Sequence, residues 1–304
     1  MIGDAHEGFL EWPIPQGELD SPAVQNRNHF ARRFQDRPIQ EAIDVYTKMT
    51  LPQARQLIGA AERHFLGHPF AGRGIELGAG TALLSCALAE RADVERIIAL
   101  EYVPDVVKLI QPRVIEACLP PADRPKVTRA LGSFDQIGLE DESLDFVIEL
   151  GCLHHSNNLD ETMRESYRVL KPGGFLLGFD RVQPDSMTDD EVDDLLDTVY
   201  GRPFLERFGY PLDQRLTRRQ NGEHEYRRRE WRAAFEAAGF GKILFGELSR
   251  RAEPPLSSLL RLVGFGEAPA KRGSPRYELR LWLSQQLRRP ATAPLRSSVF
   301  LLHK

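Results

Sequence analysis

Glu76-Leu77-Gly78-Ala79-Gly80-Thr81 carries the end of a short strand, read at residues 73–77, through a glycine turn and opens a helical stretch. A strand that ends in a glycine turn and feeds a helix is the opening unit of an open α/β sheet. Glycines at such a turn tolerate positive φ and let the backbone approach a nucleotide-like ligand closely. The dinucleotide fingerprint needs a third glycine at position 83, where Leu83 stands, so NAD is disfavoured. Glu76, just ahead of the glycines, instead suits a ligand that carries an ammonium group.

Reading outward, strand and helix patterns alternate. Helix is expected at 81–92, strand at 96–101, helix at 105–117 and strand at 127–132. A buried-type strand follows at 144–150, a helix at 159–170, a tight turn at 171–174 and a strand at 175–180. This alternation predicts a parallel, doubly wound sheet covered on both faces. Upstream, residues 1–20 lack periodicity and read as an arm or loop, whereas 21–66 are helical. Thr50 is placed to cap one of those helices, with Pro52 in its first turn. Downstream, 182–225 is a polar insertion with helical signals around 192–200. An amphipathic helix is expected at 226–238, with Trp231 and Phe235 on one face and Gly239 as its cap. Strands at 243–247 and 297–303 close the chain around an insertion at 251–294, with helical patches at 256–263 and 277–287.

In open α/β sheets, ligands bind at the carboxyl ends of the strands. Glu101 ends the second strand, where a carboxylate can accept both hydroxyls of a ribose. Gly132-Ser133-Phe134-Asp135 follows the third strand and is placed to enclose an adenine. Leu150 and Gly151 end the fourth, and Cys152-Leu153-His154-His155 come next.

These spacings, with Leu153-His154-His155 and Arg168-Val169-Leu170-Lys171-Pro172-Gly173-Gly174, resemble class I S-adenosylmethionine-dependent methyltransferases. The nearest resemblance is to the small-molecule subgroup that includes the ubiquinone C-methyltransferases, and it runs from about residue 72 to residue 180. It implies a Rossmann-like sheet of order 3-2-1-4-5-7-6 with the last strand antiparallel, and S-adenosyl-L-methionine as cofactor. By the same resemblance, Glu76, Gly78 and Gly80 hold the methionine end, Glu101 binds the ribose, and Tyr102 lies beside the adenine. Phe134 and Asp135 flank the ring, and Leu150 and Gly151 line the cleft near the transferred methyl. The family usually has Asp where Ser133 stands, so the adenine amino group falls to Ser133 or to Asp135.

Transfer from a sulfonium needs an aligned nucleophile and, for a hydroxyl or protonated amine, a base. His154 and His155 follow the fourth strand and are the candidate catalytic residues; bracing of their loop is the alternative. Asp180 and Arg181 at the end of the fifth strand, and His224 and Tyr226 in the insertion, are the candidate acceptor contacts. Adjacent histidines do not readily share one tetrahedral ion, so no metal is expected.

The expected division is 1–70 as an N-terminal arm and helical lid, 71–182 as the cofactor-binding core, and 183–225 as an acceptor cap. Residues 226–304 then complete the sheet. A net charge of -4 and the absence of an Asn/Asp-Pro-Pro-aromatic stretch or a Pro-Cys pair speak against nucleic acid. Residues 251–304 hold ten Lys and Arg against three Asp and Glu, which fits a solvated surface or an anionic acceptor or partner. Leu259, Leu260, Leu262 and Val263 would suit a membrane surface, the core or the second subunit of a homodimer. No run approaches a membrane span, no signal peptide is legible, and three scattered cysteines fit the cytoplasm. The expectation is a methyltransferase acting on O, N or C of a small-molecule acceptor, anionic if the basic segment faces it; an inactive cofactor-binding scaffold is the alternative.

Overall fold

The computed structural model describes residues 8–46, 49–247 and 297–304. The insertion at 251–294, its two helical patches, the apolar stripe at 259–263 and most of the basic segment lie outside the described residues.

Eight strands form one sheet: β1 (Leu10–Glu11), β2 (Gly72–Leu77), β3 (Val94–Glu101), β4 (Val127–Leu131), β5 (Leu144–Leu150), β6 (Leu170–Arg181), β7 (Lys242–Glu247) and β8 (Ser297–His303). Their order is β1-β4-β3-β2-β5-β6-β8-β7. Counted from β2, this is the expected 3-2-1-4-5-7-6. Strand β8 runs antiparallel to both neighbours, pairing Leu301 with Leu177 of β6 and with Leu244 of β7. Successive residues of the central strands serve opposite faces. Phe146, Ile148, Leu177 and Leu301 enter one core beneath the helices that precede and follow β2. Val147, Leu176, Phe300 and Leu302 enter the other, with Met163, Trp231 and Phe235. Burial on both faces is why these strands read as nearly continuous apolar runs.

The helices are α1 (Gln16–Leu19), α2 (Pro22–Phe34), α3 (Ile39–Tyr46), α4 (Leu51–Ala61), α5 (Leu83–Ala89), α6 (Gln111–Cys118), α7 (Leu159–Val169), α8 (Asp189–Leu196), α9 (Arg202–Phe208) and α10 (Arg228–Ala238). Thr50 and Gln53 cap α4 reciprocally, with Pro52 in the first turn, and Gly239 ends α10 at φ 104°. Helix α5 starts two residues later than expected because Ala82 adopts φ 63°.

Residues 8–20 differ from the expected loop. Leu10 and Glu11 pair in parallel with Ala130 and Leu131, adding an edge strand, and Trp12 packs into the room left by Gly132 and Gly138. Two paired residues are too few to carry a periodicity, so this strand is silent in the sequence.

Candidate active site

Two adjoining chambers, of about 390 and 410 Å³, open at the carboxyl ends of β2, β3, β4 and β5. Such volumes suit a small-molecule site. The floor of the first is the β2–α5 turn (Glu76, Gly78, Ala79, Gly80), with Glu101 and Tyr102 after β3. Leu150, Gly151 and Cys152 after β5 complete it. Its roof comes from distant elements: Asn26 and Arg27 of α2, Tyr46 of α3, Phe204 and Phe208 of α9, then Tyr210, Asn221 and Glu223. Ser133, Phe134 and Asp135 line the second chamber, facing Glu18, Ser21 and residues 219–222. Tyr102, Phe134, His155 and Asn221 border both.

Gly78 sits at φ 61°, and a Cβ there would fall 2.5 Å from that of Cys152, so the turn excludes every other residue at this position. Glu76 is buried and accepts hydrogen bonds from the Ser85 amide (2.8 Å) and the Ser85 hydroxyl. Burial pushes its carboxyl up to about 8. It therefore holds a proton at neutral pH, and a cation placed beside it would stabilise the charged form instead. Glu101 accepts from the amides of Gly80 (2.9 Å), Tyr102 (2.9 Å) and Val103 (3.0 Å). Burial raises its carboxyl, while the Arg27 guanidinium and those amides pull it back. Oε1 takes two of the amides and Oε2 one, so Oε2 keeps an open acceptor position. A two-hydroxyl grip would require one amide bond to be exchanged.

Ser133 Oγ accepts from the Asp135 amide (3.2 Å), leaving the hydroxyl hydrogen free to donate. Asp135 is tied through Oδ1 to the hydroxyls of Ser156 (3.4 Å) and Thr162, and burial raises its carboxyl.

The two histidines have different settings. His155 borders both chambers, and its Nδ1 lies 2.9 Å from the Gly222 carbonyl. A carbonyl only accepts, so Nδ1 carries the proton and Nε2 the lone pair. Burial, with His154 beside it, holds the imidazole well below its usual pKa, hence neutral at pH 7. His154 lines neither chamber; its ring lies 4.3 Å from that of His155, tilted by 40°, and its Nδ1 meets Asp180 Oδ1 at 2.6 Å. Asp180 also accepts from the amides of His154 (3.0 Å) and Arg181 (2.6 Å). Although burial alone would raise the Asp180 carboxyl, the attraction of His154 and these N–H groups hold it below the usual range.

Asp180, Arg181, His224 and Tyr226, expected as acceptor contacts, line neither chamber. Their recorded partners lie elsewhere, and among the described residues Nε and Nη2 of Arg181 and Nε2 of His224 are buried without a hydrogen-bond partner. Asp180 orients His154, and Arg181 pairs with Glu223 (2.7 Å) and Glu225 (3.3 Å). The His224 amide donates to the His154 carbonyl (2.8 Å), and the Tyr226 hydroxyl to the Ser156 carbonyl (3.3 Å).

Sequence reasoning missed Arg27, Tyr46, Tyr210 and Asn221. Only Arg27 left a trace: it falls three residues after Val24 and four before Ala31, in phase with the buried stripe of α2. It also missed Glu149, fully buried in β5 and pushed up to about 8 by burial and by Asp180.

Residues 75–178 match a family described as Methyltransferase domain. An uncharacterized methyltransferase-like protein of Schizosaccharomyces pombe is 36% identical over 102 residues, 34% of this chain and 35% of its own length. Malonyl-(acyl-carrier protein) O-methyltransferase of Priestia megaterium is 24% identical over 152 residues, 50% of this chain and 51% of its own. The chain thus spans between about a third and a half of the length of these curated relatives. Haemonchus contortus phosphoethanolamine N-methyltransferase 2, solved with S-adenosyl-L-methionine, shares the fold. Its TM-score is 0.51 at 15% identity, over 90% of this chain and 59% of that one. With this match over the β2–β6 core, the sheet order and the strand-end cavity, residues 75–178 form a methyltransferase domain on a sheet of the class I S-adenosylmethionine-dependent kind.

Proposed function

We propose that this chain transfers the methyl group of S-adenosylmethionine to an O, N or C atom of a small-molecule acceptor by in-line displacement. The observation that carries this reading is the convergence of two buried carboxylates, Glu76 and Glu101, on one cavity at the β2–α5 glycine turn. The residues fit the group: Glu76 offers a counter-ion for an ammonium, Oε2 of Glu101 an acceptor for a ribose hydroxyl, and Gly78 and Gly80 a surface free of side chains. Tyr102, Ser133, Phe134 and Asp135 would enclose the adenine, and Leu150 and Gly151 would border the methyl. When bound, the cofactor supplies an electrophilic methyl on a sulfonium and leaves as a neutral thioether.

The chain has to position the acceptor, exclude water and, for a hydroxyl or ammonium acceptor, take a proton. His155 is the residue suited to that proton. Its Nε2 is unprotonated, the Gly222 carbonyl fixes its tautomer, and it borders both chambers. His154 and Asp180 act through it, as a packed and hydrogen-bonded support. Helices α2 and α3 and the 183–225 insertion serve as lid and acceptor cap. The Asn26 side chain donates to the Phe208 carbonyl (2.8 Å), and Arg207 to the Val45 carbonyl (2.8 Å).

Calorimetric titration with S-adenosylhomocysteine, with NADH as control, tests the reading. Binding of the first alone is expected; failure to bind it removes the cofactor and the activity together. With an acceptor found by labelled-methyl screening, His155→Ala is expected to lower turnover by about 10²–10⁴-fold at unchanged S-adenosylhomocysteine affinity. Full turnover in that variant removes the base.

A further inference from the structure

We infer that Arg27 is the anion-binding residue of the acceptor subsite, and that the acceptor is an organic acid whose carboxylate it grips beneath an aromatic roof. This rests on the methyltransferase reading and adds to it the chemical class of the acceptor.

Arg27 projects from α2 into the first chamber. Among the described residues, one of its five N–H donors is given to protein: Nη1 meets the Tyr102 hydroxyl at 3.1 Å. Among the described residues no carboxylate stands within ion-pair distance of it. The neighbouring buried arginines contrast with this. Arg181 and Arg218 each face Glu223 and Glu225. The carboxylates of the chamber are already engaged: Glu101 with three amides, Glu76 with Ser85, Glu223 with the two arginines. A cation in such a place, with unused donors and only Glu101, beyond ion-pair distance, as a counter-charge, has room for an anion that a ligand supplies. Guanidinium geometry matches a carboxylate through two parallel bonds.

The surroundings describe the rest of the acceptor. The Tyr46 hydroxyl donates to the Arg27 carbonyl (3.0 Å), steadying that turn of α2. Phe204 and Phe208, 4.7 Å apart, form an apolar wall with Tyr210. A carboxylate on an aromatic or aliphatic body satisfies both features. The other carboxylate within reach is that of the cofactor's own methionine end. Arg27, however, stands beside Tyr102 and Glu101, whereas the Glu76–Ser85 pair marks the place for that end.

Two arms of one experiment separate these sources. S-adenosylhomocysteine and methylthioadenosine, which lacks the amino-acid moiety, are titrated into wild type, Arg27→Met and Arg27→Lys. The complexes saturated with S-adenosylhomocysteine are then titrated with benzoate and octanoate, and with the corresponding neutral amides. The expected result is that wild type binds at least one acid roughly tenfold or more tighter than its amide. Arg27→Met should lose that preference, Arg27→Lys keep part of it, and both retain S-adenosylhomocysteine affinity within about threefold. Equal binding of acid and amide by wild type overturns the proposal. So does a loss of S-adenosylhomocysteine affinity in Arg27→Met with methylthioadenosine unaffected, which assigns Arg27 to the cofactor. Failure of wild type to bind S-adenosylhomocysteine at all is a different result and strikes the underlying reading. Thermal melting of both variants separates misfolding from a lost contact.

Discussion

At the scale of single residues, the site depends on positions where one chemical choice is tolerated. Gly78 combines a positive φ with a neighbour, Cys152, whose Cβ and Sγ would lie 2.5 and 2.7 Å from an added Cβ. Cys152 has little room to retreat: its Sγ meets the Leu77 carbonyl at 2.9 Å and its amide donates to Glu149 at 3.1 Å. Gly78→Ala must therefore distort the turn proposed to carry the cofactor. A stability loss of about 1–3 kcal/mol follows from the backbone strain. S-adenosylhomocysteine affinity should fall by more than about tenfold if the turn shifts by even a fraction of an ångström. Urea unfolding and calorimetry on the same preparation check both; wild-type affinity in the variant would remove the turn from the site. Gly80, at φ 50° with open space around it, is held to glycine by backbone conformation alone and should be the milder position.

At the scale of elements, the insertion is fastened to the sheet by a buried cluster of two arginines and two glutamates. Arg181 ends β6, while Arg218, Glu223 and Glu225 belong to the insertion, and Gln183 adds a bond of 2.6 Å to Glu225. All four charged side chains are at most 12% exposed, so solvent does little to screen them. Glu225→Ala would leave two buried guanidiniums sharing Glu223, a change of about 3–5 kcal/mol in the direction of unfolding. Denaturant unfolding followed by tryptophan emission checks this, since Trp231 donates to the Arg181 carbonyl (3.1 Å) at the same junction. A loss below about 1 kcal/mol would mean the cluster is not what holds the insertion. The same elements explain what the sequence could disclose. The core strands are buried on both faces, so they read as apolar runs, and the strand-end acids and turn glycines of the floor stood out beside them. The roof did not. It is assembled from contacts such as Asn26 with Phe208, 182 positions apart, and no local pattern marks a residue for a partner that distant. Asp180 and Arg181 were found at the correct strand end, yet their side chains turn toward His154 and Glu223 instead of the cavity. Strand position alone does not decide that choice.

At the scale of the whole molecule, the buried acids set how stability follows pH. Glu76 and Glu149 keep their protons to about pH 8 when folded, because burial penalises the charged form. Unfolded, both would release them near the usual carboxylate pKa of about 4.3. Between these limits the folded state binds more protons, so stability is greatest at the acid end and falls as pH rises toward 8. Glu101, also raised by burial, acts in the same direction. His155, His224 and His303 oppose this at lower pH. Burial depresses all three, so their contribution is complete above about 6.5 and is lost as the unfolded state protonates below it. The two sets of groups cross near pH 6.5, and above it the carboxyls act alone. The cofactor-free protein should lose roughly 1–2 kcal/mol per pH unit between 6.5 and 8, a fall of several degrees in Tm. S-adenosylhomocysteine should offset part of it, since an ammonium beside Glu76 favours the charged carboxylate and releases a proton on binding. Its affinity should accordingly rise with pH over the same interval. In Glu76→Gln the affinity profile should be flat, while the Tm slope is only partly reduced because Glu149 remains. Calorimetric titrations at pH 6.5 and 8, in two buffers of different ionisation enthalpy, count that proton directly. A Tm that climbs from pH 6.5 to 8 without ligand would show that both carboxyls are already ionised in the folded protein. The ammonium would then meet a ready-made counter-ion, with no proton released.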